Sequence, residues 1–598
     1  MNADWIIASH APPEFFAALP GLHPLTAQTL FARGFTDPTQ ALAFLKAEVP
    51  RVDPFGLKDM DRAVERILRA IAANEPIAVY GDYDCDGVTA CALLMTTLQA
   101  LGAHAQPYIP DRFEEGYGLN SGALDKLKTQ GVRLVITVDC GVRAVKEAEH
   151  AKQIELDLIV TDHHELEDNT LPAAFAVINP KRLDCRYSFK HLAGVGVAFR
   201  LAQCLLREHR KQTEQSVTLK ERDLLDLVAI GTVADIVSLT GENRSLVRAG
   251  IEQMNASPRP GIKALLQAAR IMLVDAGKIG FGIGPRLNAA GRLEHAQAAY
   301  DLLMTNDAIQ AEALAQHLNL QNETRQSVTA QMAVDAEKIA LQDDGRRGSV
   351  AEPRRPSSVP PLLFAASEDY NSGVIGLAAA RLVEKHYRPA IVVSISNGEA
   401  RGSCRSVHGF DITEALDECK ELLLKHGGHA AAAGFTTRSD WLGELQARLS
   451  AIATLAQPSD GWKRALKIDG AVALSGINWK AQRELEQLEP HGMGNARPVF
   501  AARGVRVLGA QRMGKAEPKQ SAPHLKIKLK DDRGAVWDAV MWRAGERLKE
   551  LTPGDVIDVA FQVEATSWNG EQRLQLEVRD FCVLNADGSR RLQTQQQK

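Results

Sequence analysis

Four short apolar runs constrain the fold of this 598-residue chain more than any other feature. They lie at residues 77–80, 134–138, 158–161 and 228–230, and helical stretches separate them. Each run is rich in β-branched residues and is followed by polar residues or glycine. Buried parallel strands have this composition, and strands that alternate with helices form a doubly wound sheet. The sequence therefore predicts an α/β domain with a parallel sheet over residues 61–245.

The chain is too long for one core, because single domains rarely grow beyond about 250–300 residues. Residues 1–60 predict a short helical extension before the α/β domain. Its predicted core positions are Leu25, Leu30, Phe31, Leu42 and Leu45.

A helical connector is predicted over residues 246–342. Within it, residues 300–340 contain no Gly or Pro and repeat apolar residues at helical spacing, which predicts one long helix or two in series. Residues 343–361 follow with four prolines and two Arg pairs, a composition typical of a linker or exposed loop.

A second and smaller α/β domain is predicted over residues 362–455. The pattern there indicates a strand at 362–367, a helix at 373–386 and a strand at 390–396, followed by helices. Short alternating strands dominate residues 465–585 and predict a small β-barrel or sandwich. The polar residues 586–598 are expected to be disordered.

Charge and cysteine content limit the class of protein. The net charge of −4 means that a polyanion would need a local basic surface or bound cations. Residues 501–598 hold 17 Lys and Arg against 13 Asp and Glu, although a solvated face would look the same. None of the eight cysteines forms a CxxC pair, which suits a reducing cytosol. We see no signal peptide and no apolar stretch of about 18 residues, so a cytoplasmic protein without a membrane span is expected.

Three carboxylates follow the first apolar run in the segment DYDCDG. Asp82, Asp84 and Asp86 occupy alternate positions, and such close carboxylates repel one another unless a cation neutralises them. The carboxyl edge of a parallel sheet is where α/β proteins place their sites. A calcium loop is excluded, since it needs a Glu near position 12 with polar residues between. An exposed acidic turn is the remaining alternative.

The other apolar runs also end in hard ligands. Asp139 follows the second run, Asp162, His163 and His164 the third, and Asp235 the fourth. A single Asp after a strand is often a helix cap, but four such ends together favour a metal site. Asp and His without Cys favour Mn²⁺ or Mg²⁺ over structural zinc, and imidazole favours Mn²⁺. Two adjacent ions suit hydrolysis of a phosphate ester, which needs no Ser or Cys nucleophile.

The segments DYDCDG, VDCG, DHH and GTVAD occur in this order and resemble the DHH phosphoesterase superfamily. The resemblance implies a site for two ions, Mn²⁺ or Mg²⁺, with Asp139 as a bridge. It also implies that His164 contacts phosphate or transfers a proton, and that Asp162 orients its neighbours. The implied metal ligands, which with His164 form the catalytic set, are Asp82, Asp84, Asp86, Asp139, His163 and Asp235.

Later segments resemble one family of this superfamily, the RecJ exonucleases. They are GIGPRLNAAGRLEH, NSGVIGLAAARL, GSCRS, GGHAAAAG and HGMGNARPVF, and they imply a companion DHHA1 domain at 362–455 and an OB-fold at 465–585. One departure is Asn371, where the family usually has His. The implied phosphate-binding residues are Arg286, Asn288, Arg292, Ser372, Ser403, Arg405, Ser406, Gly427, Gly428 and His429.

The resemblance implies an exonuclease that degrades single-stranded DNA from its 5′ end to 5′-mononucleotides, in recombination and repair. Single-strand-binding protein and a RecQ-type helicase are the implied partners. In the OB-fold, the lysines and aromatic residues suit single-strand binding by charge and stacking, unless the tryptophans fill the core. Two alternatives remain open: a phosphodiesterase of short oligonucleotides, and a non-catalytic scaffold of the replication machinery. The residues singled out in the OB-fold are Lys526, Lys528, Lys530, Trp537, Trp542 and Trp568.

Overall fold

The structure of the chain is a computed structural model. It describes residues 3–47, 52–111, 115, 118–166, 169–213, 217–293, 295–342, 359–514, 523–568, 570–585 and 587–589, with the side chains of Leu293 and Trp568 left out. Most of the predicted linker and of the predicted disordered tail lies outside these residues. The chain forms two compact units, one of residues 1–50, 238–248 and 464–598, the other of residues 51–237 and 249–463. No helix in the described ranges has the length and apolar character needed to cross a membrane.

The N-terminal segment belongs to the same unit as the C-terminal domain. Its strand pairs in parallel with the strand at Ala465–Ile468, and Leu25, Leu30 and Leu45 lie in one core with the C-terminal residues. The prediction for Leu42 is wrong, since that side chain is 41% exposed. The helix turns Leu45 inward and leaves Leu42, three residues earlier, outside. The elements are β1 (Asp4–Ile7), α1 (Pro13–Ala17), α2 (Pro24–Ala32) and α3 (Pro38–Lys46).

The first α/β domain has a parallel sheet of five strands in the order β3-β2-β4-β5-β6, as the sequence predicted in kind. Three of the four predicted strands are present, but residues 228–230 belong to a helix, so the fourth prediction is wrong. An uninterrupted apolar run fits a helix buried on all sides as well as a buried strand. The elements are α4 (Met60–Ala72), β2 (Ile77–Gly81), α5 (Cys85–Ala100), β3 (Ala105–Tyr108), α6 (Ser121–Thr129), β4 (Leu134–Val138), α7 (Val145–Gln153), β5 (Asp157–Thr161), β6 (Ala176–Ile178), α8 (Gly194–Gln212) and α9 (Leu225–Ala234).

Helices form the connector, and the long helix predicted near residues 300–340 is confirmed as α15. Its buried positions face the short helices before it and the second α/β domain after it. The elements are α10 (Gly241–Ala256), α11 (Pro260–Ala268), α12 (Ala276–Lys278), α13 (Gly284–Leu293), α14 (Gln297–Met304) and α15 (Ala308–Gln342).

The second α/β domain contains a mixed sheet in the order β10-β11-β9-β8-β7, in which only β7 and β8 run parallel. The expectation of helices alone after residue 396 is wrong, because three strands lie there. Two of these strands, β9 and β10, contain no β-branched residue, and β11 has only two threonines, so the composition that indicates a strand is weak. The elements are β7 (Leu363–Ser367), α16 (Ile375–His386), β8 (Ala390–Ser396), β9 (Glu399–Arg405), α17 (Ile412–Asp417), β10 (Lys425–His429), β11 (Ala432–Arg438) and α18 (Leu442–Ala456).

The C-terminal domain is a closed barrel, as predicted. It closes because β14 pairs with both β15 and β17, giving the ring β14-β15-β16-β18-β17. Lys528 and Lys530 are exposed between buried residues of β15, and Trp542 is half exposed. Trp537 packs partly against the core, and the side chain of Trp568 lies outside the described atoms. The elements are β12 (Ala465–Ile468), β13 (Gly470–Ala471), α19 (Trp479–Glu486), β14 (Phe500–Met513), β15 (His524–Lys530), β16 (Val536–Met541), β17 (Val556–Trp568) and β18 (Glu571–Val583).

Candidate metal centre

The loop between β2 and α5 carries the first three carboxylates. Asp84 caps α5, because its Oδ1 accepts hydrogen bonds from the backbone N–H groups of Asp86 at 2.9 Å and Gly87 at 3.1 Å. A Cβ atom at Gly87 would lie 2.6 Å from the backbone of Asp82, so only glycine permits this tight turn. The capping role of Asp84 and a role in metal binding are therefore compatible, since its second oxygen is not used by the cap.

Asp86 lies inside the domain and fixes the start of α8. Its two carboxylate oxygens accept hydrogen bonds from the backbone N–H groups of Gly194 at 2.6 Å and Val195 at 2.9 Å. Burial and the charge of Asp84 raise the pKa of Asp86 to about 7, although these two hydrogen bonds oppose the shift. Asp86, in the first turn of α5, thus connects the loop after β2 to the start of α8.

Asp139 follows β4 with a left-handed backbone, φ +63°, which is unusual for a residue other than glycine. The side chain of Asp139 packs directly against Gly194, because a Cβ atom added at Gly194 would lie 2.5 Å from Asp139 Oδ1. Gly194 is therefore a site residue that the sequence interpretation missed. The repeated glycines of AGVGVAF were a signal for it, since a glycine at a helix start often marks a close approach.

His163 Nε2 lies at the centre of the site. It is 3.1 Å from Asp139 Oδ1, 3.6 Å from Asp235 Oδ2 and 3.9 Å from Asp86 Oδ2. The atoms His163 Nε2, Asp139 Oδ1 and Asp235 Oδ2 are buried and have no hydrogen-bond partner among the described residues. Buried polar atoms without partners are costly, so this convergence fits a ligand that the protein itself does not supply.

The shifted pKa values of these side chains have clear physical causes. Burial raises the pKa of Asp139 well above its usual range, and the negative charges of Asp86 and Asp84 raise it further. Burial and the charge of Asp86 raise the pKa of Asp235 to about 9. Burial lowers the pKa of His163 to about 3, which keeps the imidazole neutral and able to act as a ligand.

The predicted metal ligands form two adjacent sets of side chains. The possible ligand atoms of Asp82, Asp84 and Asp139 lie within 4.8 Å of one another, and so do those of Asp86, His163 and Asp235. Because Asp139 Oδ1 lies beside His163 in the second set, Asp139 can contribute to both. Six carboxylate or imidazole groups in two adjacent sets fit a pair of divalent cations with oxygen and nitrogen ligands.

Asp162 is saturated by contacts within the chain. It accepts hydrogen bonds from the backbone N–H groups of Val142, His163 and His164, and its Oδ1 lies 2.7 Å from Nδ1 of His164. Burial would raise the pKa of Asp162, but the hydrogen bond and charge of His164 lower it to about 2. Burial opposes protonation of His164, yet Asp162 raises its pKa overall. Asp162 therefore orients a partly exposed His164 beside the site.

The predicted phosphate-binding segment on α13 lies against the carboxylate loop. Asn288 Oδ1 accepts a hydrogen bond of 2.8 Å from the backbone N–H of Cys85 and so fixes the start of α5. Arg286 donates to Asn319 Oδ1 at 2.9 Å and to the Gly282 carbonyl at 2.7 Å. Arg292 donates to the carbonyl of Gly373 at 3.2 Å. These contacts give Asn288 a positioning role that the sequence did not indicate.

The remaining predicted residues meet on the sheet of the second α/β domain. His429 on β10 pairs with Ala432 on β11, which pairs with Arg405 on β9, so the Gly-Gly-His segment and GSCRS share one row of the sheet. Burial lowers the pKa of Arg405, whose guanidinium donates to Ser403 Oγ and to the Cys404 carbonyl.

Among the described residues, five of these predicted positions have no hydrogen bond or ion pair to the aspartate and histidine cluster, namely Ser372, Ser406, Gly427, Gly428 and His429. Ser406 Oγ donates to the Phe410 carbonyl at 2.7 Å, which is a local contact. Gly427 and Gly428 lie exposed on β10 beside His429. Asn371 Oδ1 accepts from the backbone N–H of Gly373 at 2.8 Å, so this departure from the family pattern serves a turn.

Family models match three parts of the chain. They are described as DHH family, N-terminal domain, at residues 76–232, DHHA1 domain at 360–455 and RecJ OB domain at 468–580. Together with the parallel sheet and its cluster of aspartates and histidine, they define a phosphoesterase of the DHH class.

Whole-chain relatives narrow this class to one family. The single-stranded-DNA-specific exonuclease RecJ of Bacillus subtilis is 36% identical over 94% of this chain and 68% of its own length. RecJ of Escherichia coli is 32% identical over 94% of this chain and 96% of its own. The crystal structure of RecJ in complex with Mn²⁺ from Thermus thermophilus superimposes with a TM-score of 0.79 at 29% identity, covering 97% of this chain and 79% of that one. The chain belongs to the RecJ family.

Proposed function

We propose that this chain is a single-strand-specific DNA exonuclease that hydrolyses phosphodiester bonds from the 5′ end and releases 5′-mononucleotides. The observation that carries the proposal is the convergence of His163 Nε2, Asp139 Oδ1 and Asp235 Oδ2 without partners of their own. Family membership supports the activity and the choice of single strands, because the relatives are named single-stranded-DNA-specific exonucleases. The 5′ polarity and the product remain predictions from the resemblance.

The site would hold two ions of Mn²⁺ or Mg²⁺. One solved RecJ structure is in complex with Mn²⁺ and another is in complex with Mg²⁺. Asp82 and Asp84 would hold one, Asp86, His163 and Asp235 the other, and Asp139 would contact both. Bound divalent cations stabilise the negative charge that develops on phosphate and lower the pKa of the attacking water.

The protein's own groups would complete the chemistry. Neutral His163 is available as a nitrogen ligand, and His164, with its pKa raised beside Asp162, can donate a proton to the leaving oxygen or a hydrogen bond to the phosphate. Arg292 and Arg405 would bind the phosphates of the strand through charged hydrogen bonds. In the barrel domain, the exposed lysines of β15 would attract the DNA backbone.

The decisive assay follows single strands labelled at the 5′ or the 3′ end, with Mn²⁺ and with EDTA. We expect the 5′ label to appear at once as a mononucleotide, while the 3′ label moves through progressively shorter strands. Immediate release of the 3′ label would overturn the polarity. Faster turnover of a dinucleotide than of a long strand would favour a phosphodiesterase of short oligonucleotides, and no hydrolysis with any divalent cation would favour a scaffold. A cytoplasmic location and pairing with single-strand-binding protein and a RecQ-type helicase belong to the proposal as well.

A further inference from the structure

A row of arginines crosses the long helix α15, held by amides rather than by carboxylates. Arg286 reaches the helix from α13 and donates to Asn319 Oδ1 at 2.9 Å. Further along α15, Arg325 donates a hydrogen bond of 2.8 Å to Asn322 Oδ1. A neutral amide orients a guanidinium group without cancelling its charge, whereas a carboxylate would do both. Glu323, which accepts a hydrogen bond from Asn319, is an acidic group whose charge acts on Arg286.

Arg325 is only partly satisfied by the protein's own groups. Its Nε is buried and has no hydrogen-bond partner among the described residues. Burial lowers the pKa of Arg325, and the positive charges of Arg381 and Arg286 lower it further. A partly buried cation that faces two other cations is unfavourable unless an anion lies among them.

The row continues toward the second α/β domain through α16. Arg381 lies on this helix, which packs against α15. The first turn of α16 reaches the sheet, because a Cβ atom at Gly376 would lie 3.0 Å from the guanidinium of Arg405. The helix α16 therefore connects the cations of α15 with Arg405, and both Arg286 and Arg405 are already predicted to bind phosphate.

We propose that Arg325, assisted by Arg381, binds an internal phosphate of the DNA strand and so forms a further phosphate-binding position on α15. The inference rests on the proposed exonuclease function, because a chain of phosphates is the ligand that would pass several cations in succession. The terminal nitrogens of the planar guanidinium suit charged hydrogen bonds to one phosphate. This phosphate-binding position would raise the affinity for the strand without taking part in hydrolysis.

The test compares Arg325→Gln with Arg325→Lys and with Lys338→Gln, an exposed cation on the same helix. Strand binding is measured by fluorescence anisotropy in EDTA over a range of salt, using oligonucleotides with one uncharged methylphosphonate linkage at successive positions. For Arg325→Gln we expect about tenfold weaker binding. We also expect a salt slope that is smaller by about 0.7, which is the loss of one phosphate contact with a single strand. Arg325→Lys should keep the salt slope, and Lys338→Gln should match the wild type.

The methylphosphonate series decides the assignment. In the wild type, one internal linkage should weaken binding about tenfold when it is uncharged, and Arg325→Gln should be insensitive to that linkage. If Arg325→Gln loses affinity at every linkage as the wild type does, or keeps its full salt slope, the inference is overturned. Release of nucleotides from a dinucleotide with Mn²⁺ is measured in parallel. Wild-type-like release by Arg325→Gln leaves the proposed function intact whatever the binding result, whereas absence of hydrolysis of a long single strand by the wild type removes the function itself.

Discussion

Two charged clusters in the first α/β domain differ in whether the protein itself pairs their charges. Arg182 donates to Asp59 at 2.7 Å and to Asp184 at 2.8 and 2.9 Å, so its cation and the neighbouring carboxylates satisfy one another. Among the described residues, no Lys or Arg forms an ion pair with Asp86, Asp139 or Asp235, and the atoms Asp139 Oδ1, Asp235 Oδ2 and His163 Nε2 lack hydrogen-bond partners. A saturated cluster needs no further partner, whereas an unsaturated one favours a bound ligand. The comparison therefore predicts which residues serve stability and which serve chemistry.

The largest expected effect is on activity, through Asp139→Asn. Removing a carboxylate that is proposed to contact both ions should lower kcat by about a thousandfold or more, since metal ions contribute several kcal/mol of charge stabilisation. Hydrolysis of a labelled single strand with saturating Mn²⁺ measures this. Because the substitution also relieves repulsion in the metal-free protein, Tm in EDTA should stay the same or rise. A variant that loses both Tm and activity would place Asp139 with the structural residues.

The opposite result is expected for Arg182→Met. It leaves the partly buried Asp59 with only the more distant Arg62, at 3.7 Å, as a cation, which should lower the free energy of unfolding by about 1 to 3 kcal/mol. Urea unfolding measures this loss, and kcat per folded molecule should stay close to that of the wild type. A large drop in kcat at full folding would contradict the separation of the two clusters.

A smaller effect is expected for Asp162→Asn. Asp162 is saturated by contacts within the chain, as Arg182 is, but it lies beside the candidate metal site. The amide keeps the shape but loses the charge that raises the pKa of His164, so we expect kcat to fall about ten- to a hundredfold. If His164 donates a proton, the decline of kcat at high pH should begin at a lower pH than in the wild type. The pH profile of kcat measures this shift. An unchanged profile would confine Asp162 to fixing the backbone.

The smallest effect is the pH dependence of stability without metal. The pKa values of Asp86 and Asp235 in the folded protein are about 7 and about 9, above their unfolded values. The folded state then binds more protons than the unfolded state between about pH 4 and 9, so stability falls as pH rises through this window. Tm in EDTA should fall between pH 6 and 9, and Asp235→Asn should flatten the fall. Added Mn²⁺ should raise Tm most at the upper end.

The sequence indicated the site better than the surrounding fold. Asp82, Asp139 and His163 could be placed because each follows a strand of one parallel sheet, and such strand ends meet at one edge. Residues 228–230 were assigned to a strand, yet Asp235 still reaches the site because it caps the helix that replaces that strand. The helix packing that brings Asp235 there depends on tertiary contacts that no local pattern encodes.

Two other features could not be predicted for related reasons. The N-terminal segment joins the barrel domain through contacts more than 400 residues apart in sequence, such as Gln28 with the carbonyl of Asp469. The role of Arg325 depends on which cations surround it and on its neutral partner Asn322, which is a property of packing rather than of composition. Close approaches such as that of Gly194 to Asp139 are likewise invisible until the elements are in place.

The most direct test of the two-ion site is to count Mn²⁺ ions. Electron paramagnetic resonance or calorimetric titration of the metal-free protein should give two Mn²⁺ per chain, and Asp139→Asn should lose tight binding at both positions. Asp235→Asn should retain one ion, held by Asp82, Asp84 and Asp139. Binding of two ions to Asp139→Asn with unchanged affinity, or no tight binding by the wild type, would contradict a dinuclear centre built on these side chains.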